Sequence, residues 1–237
     1  MSLESKYALI SPDYHWKAVE RSLEMSLPTL ARYQLVLKVL ESRVNGFRIL
    51  DAGCGDGVLS WMLAIRGGEV YGVDVEEKAL QVAKRKCKGL KARFYLASIY
   101  DLPFPPRYFD HIVCLDVIEH LHHPDKALKE LKRVWNRSGV IIITTPIRWK
   151  EQFDIGFHVK EYSIEEFREM IRKHFPMERV HFIHFGPILV HKLTKLKIGR
   201  FKPLKAVINA FYLLTRINPY LIPLPWKNIS QAAIIRH

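Results

Sequence analysis

The sequence predicts an α/β fold, a doubly wound and mostly parallel sheet of seven strands with helices on both faces. Three observations carry this expectation. Strand-like and helix-like runs alternate between residues 47 and 136, the order that builds βαβ units. The stretch Ile49 to Gly57 joins an apolar strand to a helix start through Gly53, Gly55 and Gly57, residues that let the backbone turn tightly and approach a ligand. A second strand-like run, Glu69 to Val73, ends in Asp74, about twenty residues after the loop, where an acid can meet a ribose.

The elements follow in order. Residues 1–45 read as a helical leader. Pro28 and Thr29 precede a helix with Leu30, Tyr33, Leu37 and Leu40 on one face. Strands are predicted near 47–51, 69–74, 92–96, 110–115 and 139–145, with helices near 57–66, 76–88 and 124–136. Glu76 and Glu77 fall in a first helical turn, where the dipole favours acids. Ser163-Ile164-Glu165-Glu166 is a capping box opening a helix to about His174. Strands at 179–185 and 230–236 close the chain. Between them Pro203 opens a helix whose Leu204, Val207, Ile208, Phe211 and Leu214 form an apolar face, ended by Asn218-Pro219. Tyr220 to Trp226, with Pro223 and Pro225, is expected to be extended. The organisation is a leader and lid at 1–45, a core at 46–186 and 228–237, and a basic, apolar insertion at 187–227.

The 237 residues are 49% hydrophobic, enough for a large core. The net charge of +13 is uneven, because all 24 acids precede Arg179. That pattern suggests one anion-facing patch near the C-terminus, or a lysine-rich thermophile composition. Cys54, Cys87 and Cys114 form no CxxC pair, and no secretory leader or run of about twenty uncharged apolar residues occurs. A reducing, cytoplasmic setting is expected.

The loop narrows the ligand. A dinucleotide site wants G-x-G-x-x-G, and Val58 stands where the third glycine should be. Asp51 and Asp56 bracket the loop and would repel a pyrophosphate. No Gly-Lys-Ser/Thr follows, so a P-loop is excluded. Acids around the loop suit a ligand with an ammonium, a sulfonium and a ribose but no phosphate, which describes S-adenosylmethionine.

Leu50-Asp51-Ala52-Gly53-Cys54-Gly55-Asp56-Gly57 resembles the first motif of the class I, Rossmann-like S-adenosylmethionine-dependent methyltransferases, and Val70 to Asp74 resembles the second. Asp101-Leu102-Pro103-Phe104-Pro105, Phe109-Asp110 and Val117-Ile118-Glu119-His120-Leu121 continue the pattern over residues 45 to 185. The resemblance implies that the strands at 179–185 and 230–236 form an antiparallel edge. It implies cofactor contacts from Asp51 to the ligand ammonium, from Gly53, Cys54 and Gly55 to the methionine part, and from Asp74 to both ribose hydroxyls. Val75 should lie beside the adenine, with Leu115 and Asp116 beneath the methionine part. Family members often carry an acid before Ala at the third strand end; here Ser98-Ile99 stands there and should contact the adenine.

Methyl transfer mainly requires alignment and exclusion of water, with a base only for a poorly acidic acceptor. His120 is the candidate base and Asp116 a second catalytic candidate, against the alternative that Glu119-His120 only holds a loop. The ubiquinone-biosynthetic O-methyltransferases look similar here, with acid-x-x-acid-His and a divalent cation that can assist; no metal site is assigned to this chain. Trp149, His158, Tyr162, Tyr14 and Trp16 are pocket candidates, and His122 and His123 are expected at the surface. The sequence thus predicts an enzyme that methylates a small-molecule or lipid-like acceptor, at oxygen, with possible peripheral contact with an anionic membrane. An RNA methyltransferase using the basic segment is the alternative, followed by a non-catalytic S-adenosylmethionine-binding protein.

Overall fold

The computed structural model describes residues 11–19, 26–148, 158–187, 195, 203–221 and 228–237. Its centre is a seven-stranded sheet in the order β3-β2-β1-β4-β5-β7-β6. The strands are β1 Arg48–Ala52, β2 Glu69–Asp74, β3 Ala92–Leu96, β4 His111–Leu115, β5 Val140–Pro146, β6 Arg179–Pro187 and β7 Asn228–Arg236. Those from β1 to β5 pair in parallel, while β7 runs antiparallel to both β5 and β6. The last strand, β7, is antiparallel to both its neighbours, so the final two strands form the expected antiparallel edge. β6 forms the edge and points the same way as β5.

The helices are α1 Tyr14–Val19, α2 Leu27–Leu40, α3 Val58–Ala64, α4 Glu77–Lys86, α5 Pro124–Val134, α6 Ile164–His174 and α7 Pro203–Thr215. Side-chain alternation along the strands divides the core into two layers. Leu50, Val73, Ile112, Cys114, Ile141 and Ile143 face one side, where α5 packs Leu128 and Leu131 and α6 packs Phe167 and Ile171. Ile49, Val70, Val113 and Ile142 face the other, covered by Tyr33, Val36 and Leu40 of α2 and by Val58, Leu59 and Leu63 of α3.

Local signals explain several boundaries. Pro28 occupies the first turn of α2, where its missing N–H costs nothing. In α6, Ser163 Oγ accepts from the Glu166 amide at 3.2 Å while the Glu166 carboxylate accepts from the Ser163 amide at 2.8 Å, so the predicted capping box forms.

The C-terminal helix departs from expectation in two ways. It ends at Thr215, ahead of Asn218-Pro219, and Pro219–Leu221 form a 3-10 turn with Tyr220 buried, where an extended segment was predicted. Residues 222–227 lie outside the described set. The predicted single apolar face is also split. Ile208 packs inward beside buried Tyr212, whereas Val207, Phe211 and Leu214 are exposed.

The sheet order reverses between β1 and β4, so a crevice opens beyond their C-terminal ends. Asp51, Asp74 and Asp116 all lie at strand ends on this rim.

Candidate functional site

The glycine loop is pinned to β2 rather than hanging free. The amides of Gly53 and Cys54 both donate to the Val73 carbonyl, at 2.8 and 3.0 Å. The Gly55 amide donates to Asp74 Oδ2 at 2.7 Å, and the Glu76 amide to Asp74 Oδ1 at 2.9 Å. Asp74 thus ties the loop and the turn after β2 together at the strand tip, the place where an acid can meet a ribose. Gly53 has φ +77, and a β-carbon there would stand 2.3 Å from Val117 Cγ2. The loop thus requires glycine both for its backbone and for its closeness to the segment after β4.

Val75, immediately after Asp74, is 73% exposed beside this crevice, an apolar surface open to a flat ring. Across the crevice Ile99 is buried. Ser98 Oγ accepts from the Tyr100 amide at 3.2 Å, so the hydroxyl shapes its own turn and retains its proton for donation. Cys54 is buried, and burial holds its thiol well above the ordinary range, as suits a packing residue and not a nucleophile.

Asp51 is buried and accepts from Ser60 Oγ at 2.6 Å. Burial pushes its pKa up to about 7, the Ser60 hydrogen bond opposing this and the nearby Asp74 charge adding to it. The folded pKa lies above the unfolded one, so in the ligand-free protein this group's contribution to stability falls as pH rises towards and through about 7. A ligand ammonium would favour the carboxylate and reverse the shift. S-adenosylhomocysteine binding at pH 7 is therefore expected to release up to about half a proton, seen as a buffer-dependent enthalpy in calorimetry. Release that persists unchanged in Asp51→Asn would remove Asp51 from this role.

Asp56 has a different task from the one its sequence position suggested. It is buried and accepts from the His15 amide at 2.8 Å, its other oxygen lies 3.1 Å from His15 Nδ1, and its carbonyl accepts from Trp16 Nε1 at 2.8 Å. Trp16 meets Trp61 of α3 edge-on, with ring centroids 5.6 Å apart. The leader is thereby latched onto the glycine loop. Tyr14, at the start of α1, is partly exposed.

Leu115 ends β4, and Asp116 follows it. Asp116 adopts φ +51 and is held from two directions. Thr144 Oγ1 donates to Asp116 Oδ1 at 2.7 Å, and Arg32 Nε of α2 lies 2.9 Å from Oδ2. Sequence reasoning missed Arg32, because nothing in a helical leader says which residue faces a strand end. A lone arginine on the otherwise apolar side of α2 is the one signal available.

Glu119 is buried, its Oε2 accepting from Thr145 Oγ1 at 3.1 Å and its Oε1 lacking a hydrogen-bond partner among the described residues. Burial, with the Asp116 charge adding, holds its carboxyl well above the usual carboxylate range. Its carbonyl accepts from the Val159 and Lys160 amides at 2.8 and 3.0 Å, fastening the segment before α6. That segment supplies His158, whose ring lies edge-on to His120 with centroids 4.9 Å apart and whose Nδ1 is 2.7 Å from Glu161 Oε1. Tyr162 is buried, with its hydroxyl lacking a hydrogen-bond partner among the described residues. His122 and His123 are at the surface, and Trp149 lies outside the described residues.

The metal-compatible group is not the acid-x-x-acid-His set. Asp116 is tied to Arg32 and Thr144, while His158 joins Glu119 and His120, one potential ligand atom of each lying within 4.8 Å of the others. One carboxylate and two imidazoles form a borderline donor set for a divalent transition metal, and burial of Glu119 works against the charged form that ligation needs.

Comparisons with known proteins agree with this geometry. A family model described as "Methyltransferase domain" matches residues 50–143. The chain is similar to the ubiquinone biosynthesis O-methyltransferase of Dechloromonas aromatica, 36% identical over 51% of this chain and 53% of that one. It is similar to the enzyme of the same name from Marinobacter nauticus, 29% identical over 68% and 72% of the two chains. The chain spans about half the length of the first of these relatives. The solved phosphoethanolamine N-methyltransferase 2 of Haemonchus contortus, in complex with S-adenosyl-L-methionine, shares the fold with a TM-score of 0.65 at 19% identity, over 94% of this chain and 55% of that one.

Sheet order, glycine loop and strand-tip acid together define a class I, Rossmann-like methyltransferase domain. Residues 50–143 match the methyltransferase domain, and the chain is similar to the S-adenosylmethionine-dependent methyltransferases, near those of ubiquinone biosynthesis.

Proposed function

We propose that this chain moves a methyl group from S-adenosylmethionine to a small-molecule or lipid-like acceptor, at an oxygen atom. The observation that carries the reading is the Asp74 clasp, a strand-tip carboxylate bonded to the Gly55 and Glu76 amides beside the glycine loop. When bound, the cofactor supplies a methyl group on a sulfonium, open to in-line attack. Asp74 receives the ribose hydroxyls, and Val75, Ser98 and Ile99 border the adenine. Gly53, Cys54 and Gly55 give backbone approach to the methionine part, Asp51 offsets its ammonium, and Leu115 and Asp116 form the floor beneath it.

His120 takes the proton from the acceptor oxygen, at a position where the segment carrying His158 and Tyr162 walls the acceptor space. Asp116 positions this machinery, because its carboxylate is committed to Arg32 and Thr144. The leader at 1–45 serves as a lid through its latch on Asp56. The printed names of the relatives, O-methyltransferases, support oxygen as the target. Buried free Cys54, Cys87 and Cys114 support a cytoplasmic setting. No helix among the described residues is long and apolar enough to cross a membrane, and peripheral contact with an anionic membrane belongs to the same reading.

The test is to incubate the chain and labelled S-adenosylmethionine with lipid, small-molecule and RNA fractions of the source cell. Label is expected in the lipid or small-molecule fraction. The net charge of +13 motivates the rival reading, in which the basic segment grips an RNA backbone. Salt-sensitive RNA binding with label in RNA would establish that rival. Turnover nowhere, despite cofactor binding, would leave a non-catalytic binding protein.

A further inference from the structure

The helix α7 is turned the wrong way round for a water-facing helix. Its buried residues are Asn209 and Tyr212, while Val207 is 64%, Phe211 44% and Leu214 85% exposed. Ile217, just past its end, is 51% exposed. Val207, Phe211 and Leu214 follow a helical spacing and form one apolar stripe on the outside of the protein, with Ile217 exposed just beyond its end. A helix packed on a core ordinarily shows the opposite pattern, and a contiguous exposed apolar stripe marks a binding surface.

Charge identifies the occupant. No Asp or Glu occurs after Glu178, whereas Lys192, Lys195, Lys197, Arg200, Lys202 and Lys205 lead into or lie on the helix. An apolar stripe accompanied by cations of one sign matches an element that rests in the headgroup region of an anionic bilayer. A second copy of the chain would bring like charges together across a self-complementary contact. An RNA backbone would neutralise the lysines and leave the apolar stripe in water.

The inward side of α7 connects this surface to the acceptor site. Gln34 Nε2 of α2 donates to Tyr212 Oη at 3.2 Å, and Asn218 Nδ2 donates to Gln34 Oε1 at 2.9 Å and to the Leu27 carbonyl at 3.2 Å. Leu27, Leu30 and Ala31 of α2 pack against Tyr212 and Tyr220. The same helix carries Arg32 to Asp116. We infer that Val207, Phe211, Leu214 and Ile217 are the docking surface for an anionic lipid bilayer, holding α2 and the acceptor side of the crevice next to it. This rests on the reading of a lipid-like acceptor and gives that acceptor a route from the membrane.

Co-sedimentation of the full chain with vesicles tests it. Vesicles of phosphatidylcholine with phosphatidylglycerol should bind the protein, those of phosphatidylcholine alone should bind it far less, and added salt should release it. Phe211→Glu and Leu214→Glu should each lower the partition coefficient on the order of tenfold. Both sites are exposed, so melting temperature and S-adenosylhomocysteine affinity should stay at the wild-type values. Absence of binding, equal binding to the two lipids, or variants that bind like wild type would overturn the inference. So would a concentration-dependent dimer that Leu214→Glu dissolves without any vesicle binding. Failure of the methyltransferase reading shows up separately, as a wild-type protein that does not bind S-adenosylhomocysteine whatever its behaviour with vesicles.

Discussion

Replacing Asp74 with Ala is expected to lower the affinity for S-adenosylhomocysteine by about a hundredfold or more. The carboxylate would accept from two ribose hydroxyls, and each such charge-assisted bond is worth about 1.5–3 kcal/mol. Two of them correspond to a factor of about a hundred at the lower end. The substitution also removes the acceptor of the Gly55 and Glu76 amides, so the loop loses its tie to β2. Asp74→Asn separates the two contributions. The amide oxygen can still accept from one of those backbone amides, so the melting temperature should fall less than in the Ala variant. Its lost charge still weakens the hold on the hydroxyls. Calorimetry would settle the matter: wild-type affinity in both variants would take the ribose away from Asp74.

The parts legible in the sequence share one physical cause. Strand ends and glycine turns are local, so Asp51, Gly53, Gly55 and Asp74 declare themselves through spacing alone. The capping box at Ser163 is equally local, and it forms as written. What was not legible depends on residues far apart in the chain. Asp56 looks like a cofactor-loop acid until His15 and Trp16 are seen to claim it, across about forty residues. Arg32 and Asp116 meet only because α2 packs over the ends of β1 and β4, which no local pattern encodes. The partnership of His120 with His158 arises in the same way, through the Glu119 carbonyl that holds residues 159 and 160. Helix α7 was legible as a helix but not in its orientation. Periodicity finds an apolar side and assumes that it turns inward, whereas here Tyr212 and Asn218 supply the inward contacts by hydrogen bonds to Gln34.

The second large effect is expected at Gly53, and it binds the cofactor loop to the acceptor segment. Gly53→Ala places an L residue at φ +77, which costs about 1–2 kcal/mol. It also sets a β-carbon 2.3 Å from Val117 Cγ2, and overpacking of that kind costs about 1–3 kcal/mol more. A total loss of about 2–5 kcal/mol should appear in urea denaturation, a large share of the stability of an ordinary domain. Relief of the clash must push Val117 away, and Val117 lies between Asp116 and Glu119. Cofactor binding and turnover should therefore fall together, beyond what destabilisation alone produces. Val117→Ala offers the decisive partner, because it deletes both γ-carbons and leaves only Val117 Cβ, 3.4 Å from the added methyl, an ordinary contact. In the double variant the overpacking share, about 1–3 kcal/mol, should return while the backbone strain of about 1–2 kcal/mol stays. Strict additivity of the two substitutions would mean that the loop and the acceptor segment do not press on one another. The tight packing that sets donor against acceptor would then have to be sought elsewhere in the crevice.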